Sequence, residues 1–430
     1  MKNLLTRILR AKRLAEHNSG DGALPKPSGD RLTRYAAVPL VLASFAGHVF
    51  LIGVLWDISR LSARFAAIPL AADYANYWCA AQLAWQGKPA VAYNICQLHE
   101  LQQNIFGVHH YLHSGWYYPP TFLLMVLPLA LFPYLPSLII WLAVTYLGYA
   151  WVLGRISPSL AVFLLGLVFP GVFMNILFGQ NGLLSAALLG GGLLLLRSSP
   201  LWGGCLFGLL SFKPNLALMP FLALLAGRQW KALFAAGFSA LGLALISAGV
   251  FGLETWRAYF QNISIPMRLL EDGMANWGIM PTFFSAVLSL GMSVRLAYLV
   301  QLTVSLTAAG TLVWVWSRPG PWSLRGAMLI LVTLLFTPYA FIYDLPVVSL
   351  ALVWLWRDGF ERGRLPGEGL LLLLGWLFPT FAPIVWKMNL IPEAKLQIGP
   401  GVLLSLFLLA VWREARTANS PVIMEWSMLL

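Results

Sequence analysis

Charge is what this chain has least of. Lys, Arg, Asp and Glu make up 10% of its 430 residues while 59% are hydrophobic, and a soluble domain carries about 25% charged residues. An ordinary soluble domain is therefore excluded. The alternating strands of about ten residues that build a membrane barrel are also missing, so the apolar segments are helical. No Walker loop, GxGxxG fingerprint, GxSxG elbow or HExxH motif occurs, which leaves soluble nucleotide chemistry without a home. Histidines are few. His99, His109, His110 and His113 cluster without the spacing of metal ligands, so neither a metal nor another cofactor is expected. Of three cysteines, Cys205 sits in an apolar helix, and for Cys79 and Cys96 both a disulfide and two free thiols remain open. No internal repeat is evident, which speaks against a transporter built from inverted halves.

What the chain does have is apolar runs, many of them near the roughly 20 residues that cross a bilayer as a helix. The expected fold class is all-α, a polytopic transmembrane protein. Behind the net charge of +12, the N-terminal stretch alone supplies eight basic residues, Lys2, Arg7, Arg10, Lys12, Arg13, Lys26, Arg31 and Arg34. Such a tail orients the chain by the positive-inside rule and implies no nucleic-acid partner; anionic membrane lipid is the partner it fits. The run 35–56 is too long for a signal-peptide core and reads as an uncleaved anchor. Basic residues at Arg155, Arg197, Arg228 with Lys231, Arg318 with Arg325, 357–364 and Arg413 with Arg416 mark inner loops. To place all of them inside, the short segments 119–132 and 281–290, each opened by proline, must enter the membrane without crossing it. The expected spans are then 35–56, 136–154, 159–178, 182–196, 200–212, 215–227, 232–252, 296–317, 326–338, 345–356, 368–386 and 399–412. The domain layout is a basic tail 1–34, one transmembrane domain 35–416 with a large outer loop 57–118, and a tail 417–430. Short spans imply a cavity cut into the outer side. In the outer loop, Tyr74, Tyr77, Trp78, Ala81 and Trp85 recur at helical spacing before Gly87, the pattern of an interfacial helix with its aromatic face in the headgroup zone.

The rare polar motifs converge on that outer side. Asp73 stands in the nearly uncharged Asp-Tyr-Ala-Asn-Tyr-Trp, where it fits a general base and equally the N-cap of a helix starting at Tyr74. Gly179-Gln180-Asn181 is an amide pair on a glycine turn, suited to sugar hydroxyls or to linking two helices with Asn181 as the cap. Lys213-Pro214-Asn215 places a cation where one continuous helix would hold it near the bilayer centre at a cost of about 2.5–3.5 kcal/mol. Two short helices meeting at Lys213 avoid that cost, and the lysine then suits a phosphate; the other reading is a side chain snorkelling to the interface. Thr337-Pro338-Tyr339-Ala340-Phe341-Ile342-Tyr343-Asp344 offers aromatic faces and a carboxylate to a sugar, or an aromatic belt with Asp344 as a cap.

The order of these motifs resembles glycosyltransferase family 87, of the GT-C membrane superfamily, over residues 60–360: Asp73 in its outer loop, Tyr118-Pro119-Pro120 with Pro128-Leu129, Gly179-Gln180-Asn181, Lys213-Pro214 after a helix with Gly203, Gly204 and Gly208, then Thr337 to Asp344. The resemblance is to polyprenyl-phosphate-mannose-dependent mannosyltransferases in particular. It implies a GT-C-like fold, a polyprenyl-phosphate sugar as donor, a lipid or glycan hydroxyl as acceptor, and transfer on the outer face of a bacterial inner membrane with both termini cytoplasmic. The family's catalytic carboxylate, in the first outer loop, carries over to Asp73. Donor and acceptor contacts are implied for Tyr77, Tyr118, Gln180, Asn181, Lys213, Tyr339, Tyr343 and Asp344. Some members carry a histidine in the late motif, where this chain has tyrosines and Asp344. Inverting transfer with no obligatory metal is the implied mechanism. A glycolipid or polyprenyl transporter would use a similar cavity but needs access from both sides, and an inert scaffold leaves Lys213 unaccounted for.

Overall fold

The computed structural model describes residues 71–107, 115–388 and 395–418. The tail 1–34, the expected first span 35–56, His109, His110 and His113 lie outside them, as does the C-terminal tail apart from a helix that runs to Ala418. The described residues are helical and contain no strand. In chain order the helices are α1 (Ala72–Trp85), α2 (Ile95–Phe106), α3 (Pro120–Val126), α4 (Tyr134–Ile156), α5 (Leu160–Leu167), α6 (Pro170–Phe178), α7 (Gly182–Ser198), α8 (Pro200–Leu209), α9 (Pro214–Ala226), α10 (Trp230–Phe251), α11 (Leu253–Asn262), α12 (Ile265–Glu271), α13 (Phe283–Ser289), α14 (Val294–Trp316), α15 (Trp322–Phe336), α16 (Pro346–Arg362), α17 (Glu368–Lys387) and α18 (Gly399–Ala418). Local chemistry sets many of their starts. Pro120, Pro170, Pro200, Pro214 and Pro346 open helices where the missing N–H costs nothing. Ser159, Thr282 and Ser293 cap α5, α13 and α14 through their hydroxyls.

Among the described residues, five helical stretches are long and apolar enough to cross a membrane: Tyr134–Ile156, Leu160–Phe178, Trp230–Phe251, Val294–Trp316 and Glu368–Lys387. The twelve expected spans are not reproduced at that length. The second stretch is itself broken where Pro170 starts a new helix. Other segments counted as spans are shorter: α8 has 10 residues, α9 has 13 and α15 has 15. At 1.5 Å per residue these reach roughly 15–22 Å, short of a core of about 30 Å. The segments expected to enter without crossing are short helices, α3 with its 3₁₀ extension to Leu131 and α13.

Short helices survive because neighbours cover them. In α15 every residue from Gly326 to Leu335 is buried, as is Val347 to Leu355 in α16. The apolar exterior belongs to long helices. Phe234, Phe238, Leu241 and Leu245 form one exposed stripe on α10, and Leu299, Leu302 and Leu306 another on α14, at the spacing of a lipid-facing helix side. Helices α8 and α10 touch through small residues. A Cβ on Gly204 would stand 2.2 Å from the carbonyl oxygen of Ala232, and one on Gly208 2.3 Å from that of Ala236, so the pair runs in the same direction at the close approach typical of membrane helices. Gly203 meets Gly192 and Leu196, so α7 runs against α8. The start of α7, the end of α8 and the start of α9 thus share one end of the molecule.

The opposite end carries the basic loops. There Arg413, Asp358 and Glu368 are buried together. Arg413 donates to Asp358 at 2.8 Å and also pairs with Glu368, tying α18 to α16 and α17.

Candidate active site

A turn between α6 and α7 places the amide pair. Gly179 has φ +68°, in the left-handed region that favours glycine, and a Cβ there would lie 2.5 Å from the Tyr74 Cβ. The indole N–H of Trp141 fixes the turn by donating to the Gly179 carbonyl at 3.2 Å. Gly182, the first residue of α7, is closer still: a Cβ would sit 1.9 Å from the carbonyl oxygen of Tyr343. Two glycines thus let Gln180 and Asn181 sit between α1 and the late loop.

Asp73 is not an N-cap. Helix α1 starts at Ala72, two residues earlier than expected, the cap position is Ala71 in a left-handed conformation (φ 55°), and no side chain caps it. The carboxylate instead accepts from Gln180 Nε2 at 3.0 Å. Asp73 is half-buried, and burial pushes its carboxyl up to about 6, with the hydrogen bond from Gln180 pulling the other way. Asn181 holds the N-cap position of α7, as expected, but its side chain does not bond the helix N-terminus. Its Nδ2 donates to the Tyr77 hydroxyl at 3.0 Å, and its Oδ1 accepts from Lys213 Nζ at 2.9 Å.

The expected helix is present as α1, with Tyr74 and Tyr77 turned into the protein and Trp85, at its last position, 58% exposed. Tyr74 and Tyr77 are fully buried. The ring of Tyr77 is boxed edge-on by Phe122 at 5.0 Å, Tyr118 at 5.6 Å, Trp141 at 5.7 Å and Trp116 at 6.1 Å. Its hydroxyl meets that of Tyr118 at 3.0 Å and donates to Gln180 Oε1. Tyr118 also donates to Gln180 Oε1 at 3.2 Å.

Lys213 lies buried where α8, through a 3₁₀ turn, meets α9. It does not snorkel. It pairs with Asp344, whose other oxygen accepts from the Phe341 N–H at 3.0 Å, so Asp344 does act as a cap to the short 3₁₀ turn 342–344. The Lys213 ammonium also lies 5.9 Å from the centre of the Tyr343 ring. Two of its three N–H donors are accounted for by Asn181 and Asp344 among the described residues. Helices α7, α9 and α16 all begin here, and their N-terminal dipole ends add positive potential beside two carboxylates.

The late loop is held by its backbone. Asn215 Nδ2 donates to the Tyr339 carbonyl at 2.8 Å and Asn175 Nδ2 to that of Tyr343 at 3.1 Å. Tyr343 stacks on Phe341 (5.0 Å, 14°), and Tyr339 meets the same ring edge-on at 5.1 Å. The structure therefore joins Asp73, Tyr77, Tyr118, Gln180, Asn181, Lys213 and Asp344 in one hydrogen-bonded group, sets Tyr343 against its cation, and leaves Tyr339 one ring away. Asn175, Trp116, Phe122 and Trp141 were not singled out in the sequence. The one available signal was Asn175, a lone amide in the apolar run of α6.

Among the described residues no three His, Cys, Asp or Glu side chains form a metal-binding group. Cys79 is buried and Cys96 exposed, and both are free thiols. His99 bonds Gln103 at 2.9 Å on α2.

No curated protein and no solved structure matches the chain. A family model does, that of glycosyltransferase family 87, over residues 116–338. The matched stretch holds Tyr118, the Gly179–Gly182 turn and Lys213; Asp344 lies six residues beyond its end, and Asp73 lies outside it, 43 residues before its start. It exceeds half of the 430 residues, and on that ground this helical membrane protein belongs to glycosyltransferase family 87.

Proposed function

We propose that the chain moves a sugar from a polyprenyl phosphate to a hydroxyl of a lipid or glycan acceptor, on the outer face of the membrane, with Asp73 as general base. The observation that carries this is Asp73 itself. It is a half-buried carboxylate that burial raises to about 6, linked through Gln180, Tyr77 and Asn181 to a buried lysine in a membrane glycosyltransferase. A base tuned towards neutrality takes up a proton efficiently while staying ionised at working pH.

The chemistry is a single displacement. The acceptor hydroxyl oxygen attacks the anomeric carbon, and Asp73 takes its proton as the new C–O bond forms. The bond from the anomeric carbon to the phosphate oxygen breaks, and the phosphate leaves with the electron pair. A β-linked donor then gives an α-product. The third N–H of Lys213 and the N-terminus of α9 would meet the departing phosphate, stabilising charge as it develops. Tyr343 and Tyr339 offer ring faces to the sugar. The basic loops at the far end favour the cytoplasmic side for that end, which leaves the site outside.

The test is sugar transfer by purified protein with radiolabelled polyprenyl-phosphate sugars, nucleotide sugars as controls and a membrane lipid extract as acceptor. Transfer from the lipid-linked donors alone is the expected result. Transfer from nucleotide sugars would overturn the donor class, and tight donor binding without turnover would point to a carrier.

A further inference from the structure

Four hydrogen bonds connect the two oppositely charged ends of the site, and all four point the same way. Lys213 Nζ donates to Asn181 Oδ1 at 2.9 Å, Asn181 Nδ2 donates to the Tyr77 hydroxyl at 3.0 Å, Tyr77 donates to Gln180 Oε1, and Gln180 Nε2 donates to Asp73 Oδ2 at 3.0 Å. The two ends fix this direction. An ammonium has only donors and an ionised carboxylate only acceptors, so neither amide can turn over. The NH₂ of Asn181 cannot accept, so the Tyr77 proton is directed onward to Gln180 Oε1, with the Tyr118 hydroxyl 3.0 Å away, itself a donor to the same oxygen, as a parallel branch. Tyr77 is 1% exposed, Asn181 0%, Gln180 5% and Lys213 6%, so water does not compete along most of the path. Aligned hydrogen bonds in such a setting polarise one another.

The arrangement also changes what the amides can do. Gln180 Oε1 takes Tyr77, Tyr118 and the N–H of Asn181, and both polar atoms of the Asn181 amide are engaged. Both amide oxygens are taken up within the group, which leaves one N–H on each amide for a sugar hydroxyl.

We propose that Tyr77 and Asn181 are positioning residues, links in a one-way relay that ties the cation at Lys213 to the carboxylate of Asp73 and holds that carboxylate ionised and aimed. The importance of the relay for transfer rests on Asp73 being the base; its effect on Asp73 does not. The relay stabilises the anion at its far end, and cutting it in the middle weakens that stabilisation. Tyr77→Phe makes the cut with the least other damage, because the ring stays in its aromatic box and only one oxygen is lost. The ionisable groups that face Asp73 are Tyr77 on its own helix, Tyr118 from the α2–α3 connection, and Tyr339 and Tyr343 from the late loop, with Asp344 and Lys213 beyond them. Burial raises all four phenols, so they stay neutral while Asp73 titrates.

The test is an infrared titration of the Asp73 carboxyl band in the full-length protein, assigned by its loss in Asp73→Asn. It needs no substrate. In Tyr77→Phe the midpoint should move up by roughly half to one pH unit, and Asn181→Leu should move it the same way. Tyr118→Phe removes the parallel branch and keeps the direct bond from Tyr77 to Gln180, and should move the midpoint less than Tyr77→Phe does. Unmoved midpoints in Tyr77→Phe and Asn181→Leu would refute the relay. The transfer assay adds the second arm: the acidic limb of kcat/KM should move with the infrared midpoint, whereas a uniform loss at every pH would mean a merely structural tyrosine. If Asp73→Asn still transfers sugar while the midpoints move as expected, the base assignment fails and the relay stands.

Discussion

Replacing Asp73 by Asn should separate catalysis from stability. The change keeps the shape of the side chain and an oxygen for Gln180 Nε2. It removes a charge that the folded protein holds at a cost. The rise from 3.8 to about 6 corresponds to roughly 3 kcal/mol against the ionised form, and the open edge of this half-buried group trims that to about 1–3 kcal/mol. Its sign follows from linkage. The folded value lies above the unfolded one, so the stability contributed by the protonated carboxyl is complete below about pH 4 and is lost as pH rises through about 6. Asp73→Asn never ionises and keeps what the wild type loses. Its apparent melting temperature in detergent should match the wild type near pH 4 and exceed it near pH 7.5. Loss of a general base should lower kcat/KM by roughly 10²–10⁴-fold at neutral pH. The assays are thermal unfolding at the two pH values and sugar transfer on the same preparations. A variant that transfers at the wild-type rate would refute the base. One that is inactive but melts below the wild type at pH 7.5 would make Asp73 a structural residue.

Wild-type kcat/KM should fall about tenfold per pH unit below about 6, as the base is protonated; a flat profile down to pH 5 would count against Asp73. Lys213→Met leaves Asp344, 1% exposed, as a buried charge without its partner, and should cost roughly 3–5 kcal/mol of stability. The double variant Lys213→Met with Asp344→Leu should recover part of that in thermal unfolding and none of the transfer. Gly182→Ala must push the Tyr343 carbonyl away, costing roughly 1–3 kcal/mol or more and abolishing transfer as Asp344 shifts. Gly237→Ala, which meets nothing within 4 Å, should melt at or slightly above the wild-type temperature.

Motif order was visible along the chain because each motif is a local anomaly. A charge or an amide in an apolar run stands out without any knowledge of its partner, and Asp73, Gln180, Asn181, Lys213 and Asp344 all announce themselves this way. Helix α1 was visible from its aromatic spacing, but its orientation was not. The same spacing serves a headgroup interface or a buried box, and only Trp116, Phe122 and Trp141, drawn from two other segments, make it a box. Helix positions follow the apolar runs, but the number of helices that cross a bilayer does not, for a related reason. A run of apolar residues is long enough or too short for lipid only when its neighbours are known, and α15 is covered by protein on every side.

Composition and periodicity alone therefore specify an all-helical membrane chain and the positions of its polar interruptions, because these follow from transfer free energies and backbone geometry that act residue by residue. The partners were decided by tertiary structure. Gln180 reaches Asp73 across 107 positions and Lys213 reaches Asp344 across 131. No local energy term connects residues so far apart. Packing of α7 against α8, and the missing Cβ atoms of Gly179 and Gly182, bring them within hydrogen-bonding distance. That convergence turns five isolated polar residues into one directed network.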